Sequence, residues 1–144
     1  MSIGKRDFRI VVASHGHLAS AMIDSATMIC GPLEDVTAVE LQADQSPEGF
    51  GVALRAAMGD DAHPVLILTD LFGGTPHNVA HLACREAQRS ARRAVCVAGA
   101  NLGLLLEAAT SVGSLEDGDI AALVSAGRDG ISTTTESVGE RAGQ

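Results

Sequence analysis

Short apolar runs alternate along this chain with longer stretches in which apolar residues recur every three or four positions. Phe8-Arg-Ile-Val-Val-Ala13 is too short for an independent helix and rich in β-branched residues, so it predicts a buried strand. Leu18, Met22, Ile23, Ala26 and Ile29 follow at helical spacing, and Gly31-Pro32 stops that helix. Val36 to Leu41 reads as a second strand. Ser46-Pro47 offers a capping hydroxyl and then proline at the first helical position, opening a helix that runs through Leu54 to about Met58. Val65 to Thr69 is the third strand. Thr75-Pro76 opens the next helix in the same way, with Thr75 as its cap and Val79, Leu82, Ala83 and Ala87 on its apolar side. Ala94 to Ala98 is a fourth strand, Leu102 to Ala109 a helix, and Leu115 to Ala126 a last helix ending near Gly127. A short segment around Ile131 is the candidate fifth strand. Strands alternating with helices in this way predict an α/β fold with a mainly parallel sheet.

Composition narrows the picture. The chain's 144 residues fit one domain, and 46% hydrophobic residues suffice for a packed core. We divide it into a folded domain over residues 1–132 and a polar tail over 133–144. Ten Lys plus Arg against 18 Asp plus Glu leave a formal charge of −8. An acidic chain without a basic run is a poor partner for nucleic acid or an anionic membrane. With no Trp, no Tyr and only 3 Phe, base-stacking and sugar-stacking shelves are not expected. Cys30, Cys84 and Cys96 are odd in number and far apart, which suits a reducing compartment better than a disulfide framework. Met1 to Arg9 has no signal-peptide pattern, and no apolar run approaches the ~20 residues of a membrane span. A cytoplasmic protein is expected.

Candidate chemistry follows from what stands after each strand. In an open parallel sheet, ligands bind outside the carboxyl ends of the strands, where the strand order switches. The first strand ends in Ser14-His15-Gly16-His17, the third in Asp70-Leu71-Phe72-Gly73-Gly74-Thr75-Pro76, the fourth in Gly99-Ala100-Asn101. If the first and third strands are neighbours, with the second outside the first, His15 and Asp70 meet across the switch point. A carboxylate that accepts one ring N–H fixes the tautomer and leaves the other nitrogen as a base or nucleophile. It also stabilises the ring once a covalent adduct gives it positive character. Gly73-Gly74 lets the backbone approach a ligand closely, and the free N–H groups at the start of the next helix suit an anion. A histidine, its orienting aspartate and an anion cradle together point to phosphoryl chemistry on the histidine. No P-loop lysine pattern is present, so the phosphoryl group is expected from another protein.

Plainer readings compete. A Gly-Gly pair before a helix is commonly only a turn, and a lone histidine at a strand end is more often structural. His77 and His81 lie four apart on one helix face, and with His15 and His17 they make a conceivable zinc site. The Glu that would follow the first of the pair in a catalytic motif is Asn78 here. His63, before Pro64, is incidental. Asn101 lines the site or satisfies a turn.

Three motifs in register, Val12-Ala-Ser14-His15-Gly16-His17-Leu18-Ala19, Leu68-Thr-Asp70-Leu-Phe72-Gly73-Gly74-Thr75-Pro76 and Ala98-Gly-Ala-Asn101-Leu102, resemble the IIA component of the mannose-type sugar phosphotransferase system. The resemblance covers residues 8 to 132. It implies a doubly wound sheet of four parallel strands, with a fifth antiparallel strand near the C-terminus exchanged within a homodimer. It implies that His15 takes a phosphoryl group on Nε2 from the carrier HPr and passes it to a IIB component. Transport and phosphorylation of a sugar then run through the membrane components IIC and IID. By the same resemblance Asp70 orients His15 and Thr75 contacts the phosphoryl group, which on our reading of the loop the amides of Gly73 and Gly74 help to hold. Ser14, His17, Phe72, His77 and Asn101 stand around them, supporting the pair or touching a partner. No metal and no organic cofactor is implied. Two positions depart from the family's habit: His77 replaces an aromatic residue, and Gly103 replaces proline. No IIB domain follows, so IIB is expected as a separate chain. A purely regulatory phosphohistidine module and the phosphotransfer subunit of a dihydroxyacetone kinase are the alternatives.

Overall fold

A computed structural model of the protein describes residues 5–135. Nine elements follow in order: β1 (Arg9–His15), α1 (Leu18–Cys30), β2 (Val36–Leu41), α2 (Pro47–Met58), β3 (Val65–Thr69), α3 (Thr75–Arg89), β4 (Ala94–Ala98), α4 (Leu102–Thr110) and α5 (Asp117–Asp129). The strands form one all-parallel sheet in the order β2-β1-β3-β4. The chain therefore winds outward from β1 to β2, crosses back over β1, and continues through β3 to β4. The switch point lies between β1 and β3, as the placement of His15 and Asp70 requires.

The continuous apolar runs in the strands are explained by burial on both faces. Ile10, Val12, Leu66 and Leu68 pack with Ala19 and Ala26 of α1, Leu104, Leu105 and Ala108 of α4, and Leu123 of α5. The alternate residues Val11, Ala13, Val65 and Ile67 pack with Phe50, Leu54 and Met58 of α2 and Ala80, Ala83 and Cys84 of α3. Fully burying one such Leu or Phe contributes roughly 1.5–3 kcal/mol. These two clusters clamp β1 and β3, so the loops leaving their carboxyl ends rest on the most rigid part of the molecule.

The ends of the elements show where local chemistry sets the boundary. Ser46 caps α2 as expected, its hydroxyl accepting from the Gly49 amide at 3.0 Å. At α3 the expected cap shifts by one: Gly74 is the N-cap, and Thr75 and Pro76 are the first two helical residues. Proline is tolerated at either place because the amide it lacks has no acceptor in the first turn. The last helix starts at Asp117 rather than Leu115 because the Asp119 carboxylate accepts from the Glu116 amide at 2.8 Å. Leu115 is buried ahead of that helix as a core residue. The fifth strand expected around Ile131 is not formed among the described residues. Residues 131–135 take neither helix nor strand, Ile131 is exposed, and the edge of β4 carries no further strand there. Most of the expected tail lies outside the described residues. No described helix is long and apolar enough to cross a membrane.

Candidate functional site

The register of the sheet brings the site together. Ala13 of β1 stands opposite Thr69 of β3, so the residues that leave the two strands, His15 and Asp70, meet above the sheet. Asp70 Oδ2 accepts from the His15 backbone amide at 2.9 Å and lies 2.9 Å from His15 Nδ1. One carboxylate oxygen thus fixes both the main chain and the ring of His15. With Nδ1–H donating to Asp70, the ring's lone pair is on Nε2. Nε2 has no hydrogen-bond partner among the described residues. The imidazole is about half exposed, whereas Asp70 is 12% exposed. The other carboxylate oxygen, Oδ1, is buried without a partner among the described residues. A buried acceptor left open is costly unless something uses it, and positive charge arriving on the neighbouring ring is stabilised by it.

The loop after Asp70 forms the other wall. Gly73 has φ +84°, a left-handed turn that favours glycine. Gly74 lies against the catalytic candidate itself: a Cβ there would stand 2.9 Å from His15 Cε1 and 3.5 Å from Nε2. The ring therefore sits over the start of α3. The Gly74 amide is already committed, donating to the Leu71 carbonyl at 3.1 Å, so it is not free to hold an anion. The amides of Thr75 and His77 and the Thr75 hydroxyl have no partner among the described residues. Open amides at a helix N-terminus next to a nucleophilic nitrogen make a place for an anion bonded to that nitrogen.

The surrounding residues divide. Ser14 is buried, and its hydroxyl accepts from the Ala19 amide at 2.8 Å, so it caps α1 rather than facing a partner. Asn101 caps α4 by accepting from the Leu104 amide at 2.8 Å and donates to the Gly127 carbonyl at 3.0 Å. It ties α4 to α5 and satisfies a turn. Phe72 is largely exposed, with its ring 4.7 Å from that of His77. The half-buried His77 places Nδ1 3.4 Å from Thr69 Oγ1 and 3.6 Å from Cys96 Sγ, filling the space under Phe72. Burial pushes the nearby Cys84 thiol up to about 12 and Cys96 up to about 11, so neither is a thiolate nucleophile at neutral pH. His77 and His81 stack at 6.4 Å, but no three His, Cys, Asp or Glu side chains among the described residues converge as metal ligands.

Sequence reasoning missed Glu40 and Ser20. Glu40 stands at the end of β2, in register with Ser14. Its Oε2 accepts from the Ser20 hydroxyl at 2.7 Å and the Ser20 amide at 2.9 Å, and its Oε1 lies 3.4 Å from His17 Nδ1. Burial pushes this carboxyl up, but the Ser20 bonds and His17 outweigh it and hold the group below the usual carboxylate range. The only signal in the sequence was a charged residue inside an otherwise apolar strand.

Comparison with known proteins gives the family. The chain matches the protein family described as "PTS system fructose IIA component" over residues 9–124. It is 33% identical over 100 residues to the PTS system fructose-specific EIIA component of Bacillus subtilis (strain 168), covering 68% of this chain and 66%, just under two thirds, of that protein. It is 30% identical over 108 residues to the PTS system sorbose-specific EIIA component of Lacticaseibacillus casei, covering 74% of this chain and 75% of that protein. Among solved structures, the mannose/sorbose specific IIA subunit of the phosphotransferase system from Enterococcus faecalis matches with TM-score 0.82 and 32% identity, over 90% of this chain and 96% of that one.

Proposed function

The chain belongs to the mannose-type EIIA family of the sugar phosphotransferase system, and from that premise we propose that it is a phosphocarrier whose acceptor atom is Nε2 of His15. One observation carries the reading: the ring is held at Nδ1 by Asp70 at 2.9 Å, while Nε2, beside the open start of α3, has no partner among the described residues. In the accepting step, the Nε2 lone pair attacks the phosphorus of a phosphohistidine on the donor, HPr. The donor's P–N bond breaks as the new one forms, and the donor imidazole leaves with the electron pair. Asp70 keeps the Nδ1 proton and stabilises the positive character of the ring. Thr75, through its hydroxyl and amide, takes the phosphoryl oxygens together with the His77 amide. The positive φ of Gly73 turns the loop out of their way.

The second half is the same exchange run toward an acceptor, a IIB component. IIB then serves the sugar that the membrane components IIC and IID transport. The sugars named for the relatives, fructose, sorbose and mannose, give the class of substrate. This reading places the protein in the cytoplasm, in reach of HPr. It also makes the protein a homodimer, because β4 ends the sheet with an unpaired edge among the described residues, where a second copy can add.

Intact mass spectrometry at alkaline pH, after mixing with phosphoenolpyruvate, enzyme I and HPr, tests the reading. We expect a gain of one phosphoryl group that is lost in acid and absent in His15→Ala. No gain while HPr is fully phosphorylated, or an undiminished gain in His15→Ala, would overturn it.

A further inference from the structure

A second histidine–carboxylate pair stands beside the first. The loop His15-Gly16-His17 leaves the middle of the β2-β1-β3 array, and each histidine leans on a carboxylate from a different neighbouring strand. His15 meets Asp70 at the end of β3, and His17 meets Glu40 on β2. Both rings are anchored through Nδ1, and neither Nε2 has a partner among the described residues. Gly16, with φ +54°, makes the turn between the two histidines, which favours glycine.

The second pair is built differently from a chance surface contact. Glu40 is 17% exposed on its side chain, and Ser20 fixes its Oε2 through two hydrogen bonds. The carboxylate is thus in place whether or not His17 is near. His17 is 83% exposed and contributes nothing to the core. The fixed carboxylate anchors one side of the exposed ring and leaves its other nitrogen open to a ligand.

We propose that His17, positioned by Glu40, is a second imidazole of the phosphoryl site, which donates from Nε2–H to an oxygen of the phosphoryl group carried on His15. This rests on the phosphocarrier reading above. With both ring nitrogens protonated, Nδ1–H stays on Glu40 and Nε2–H donates outward, so one ring can link the carboxylate to the phosphoryl dianion. No bond to phosphorus forms at His17. It favours the loaded state and the charge of the transfer, opposite to the wall made by Thr75 and the start of α3.

The equilibrium of phosphoryl exchange with phospho-HPr is the measurement, read by intact mass, with the 31P shift of the phosphohistidine alongside. His17→Gln is expected to shift the exchange roughly three- to tenfold toward HPr, the size of one exposed charge-assisted hydrogen bond. It should also move the 31P signal and leave the unfolding midpoint unchanged. Glu40→Gln should shift the exchange in the same direction, and the double variant should add little to His17→Gln, because Glu40 acts through His17. A wild-type equilibrium and 31P shift in His17→Gln would overturn the inference while the carrier reading stands. A wild-type protein that takes up no phosphoryl group would overturn both, and would be seen before any variant is compared.

Discussion

The two ends of the sheet use their polar groups in opposite ways. At the amino ends of the strands, arginines are spent on the chain itself. Arg92 donates to the carbonyls of His63, Gly59 and Met58, with Nε–O at 2.7 Å and Nη1–O at 2.8 Å for the first two. Arg6 reaches the carbonyls of Phe8, Ala109 and Glu34, and Arg9 bridges Asp35 and Asp61 while donating to the Met58 carbonyl. At the carboxyl ends, groups are left open: Nε2 of His15, Oδ1 of Asp70, the Thr75 hydroxyl and the first amides of α3. The first end stores stability. The second leaves hydrogen-bonding capacity unspent among the described residues, which suits the anion-binding role proposed for it.

That contrast breaks most visibly at Asp70. Asp70→Asn keeps a side chain of the same shape, so the fold should hold. It removes the charge that, in the proposed carrier, stabilises the phosphorylated ring, and the amide can present its N–H rather than its oxygen to Nδ1. We expect transfer from phospho-HPr to fall by about 10²–10⁴-fold, the range for a lost orienting or acid–base partner. Rapid-quench kinetics at matched protein concentration would measure it. A rate within threefold of wild type would take Asp70 out of the mechanism.

The opposite outcome is expected at the other end. Arg92 is 9% exposed, and truncating it leaves the His63 and Gly59 carbonyls without their donor and the Met58 carbonyl with Arg9 alone. Arg92→Ala should lower stability by about 3 kcal/mol, or roughly 10 °C in Tm. Phosphoryl transfer per folded molecule should stay at the wild-type rate, because the site lies across the whole length of the sheet. Thermal melts and active-site titration on the same samples separate the two. A slowed transfer in the folded fraction would show that the ends are coupled.

Gly74→Ala sharpens the comparison within the site. The added methyl would stand 2.9 Å from His15 Cε1, and the half-exposed ring is the group free to move. The expected result is an unchanged melt with transfer slowed about 10- to 100-fold, the penalty for a nucleophile displaced by an ångström or so. An unchanged rate would mean that the ring does not sit over Gly74 when it reacts.

Legibility from sequence divides along the same line. The strands were readable because both faces of a parallel sheet are buried, which forces unbroken runs such as Val65-Leu-Ile-Leu. The meeting of His15 and Asp70 was readable because the carboxyl-end rule turns strand order into a site. Thr75 was misplaced by one residue because Thr-Pro permits the cap at either position, and the Gly-Gly turn decided it. Ser14 and Asn101 looked like site residues by position, yet both are used up as helix caps. Hydrogen-bond commitment is a property of three dimensions. Glu40 was invisible for the same reason: its partners, Ser20 and His17, lie 20 and 23 positions away along the chain.

Glu40 is also the exception to the contrast, a carboxylate at the site end whose oxygens are taken by its own chain. Its effect on stability should therefore be small. The fold holds this carboxyl below the usual range, so folding favours the ionised form. A group of that kind contributes fully above its unfolded pKa, near about 4.3, and loses the contribution as pH falls through its lower folded value. Gln at this position has no such titration. At pH 7, Glu40→Gln should cost about 0.5–1 kcal/mol, from the weakened Ser20 bonds and the lost anion at the start of α1. Urea midpoints taken from pH 7 downward should show the gap between the two proteins constant to about pH 5 and closing below pH 4. A gap that persists unchanged to pH 3 would mean that the Ser20 bonds are as strong to the neutral group as to the carboxylate. Glu40 would then hold the loop by shape, and only Asp70 would use its charge.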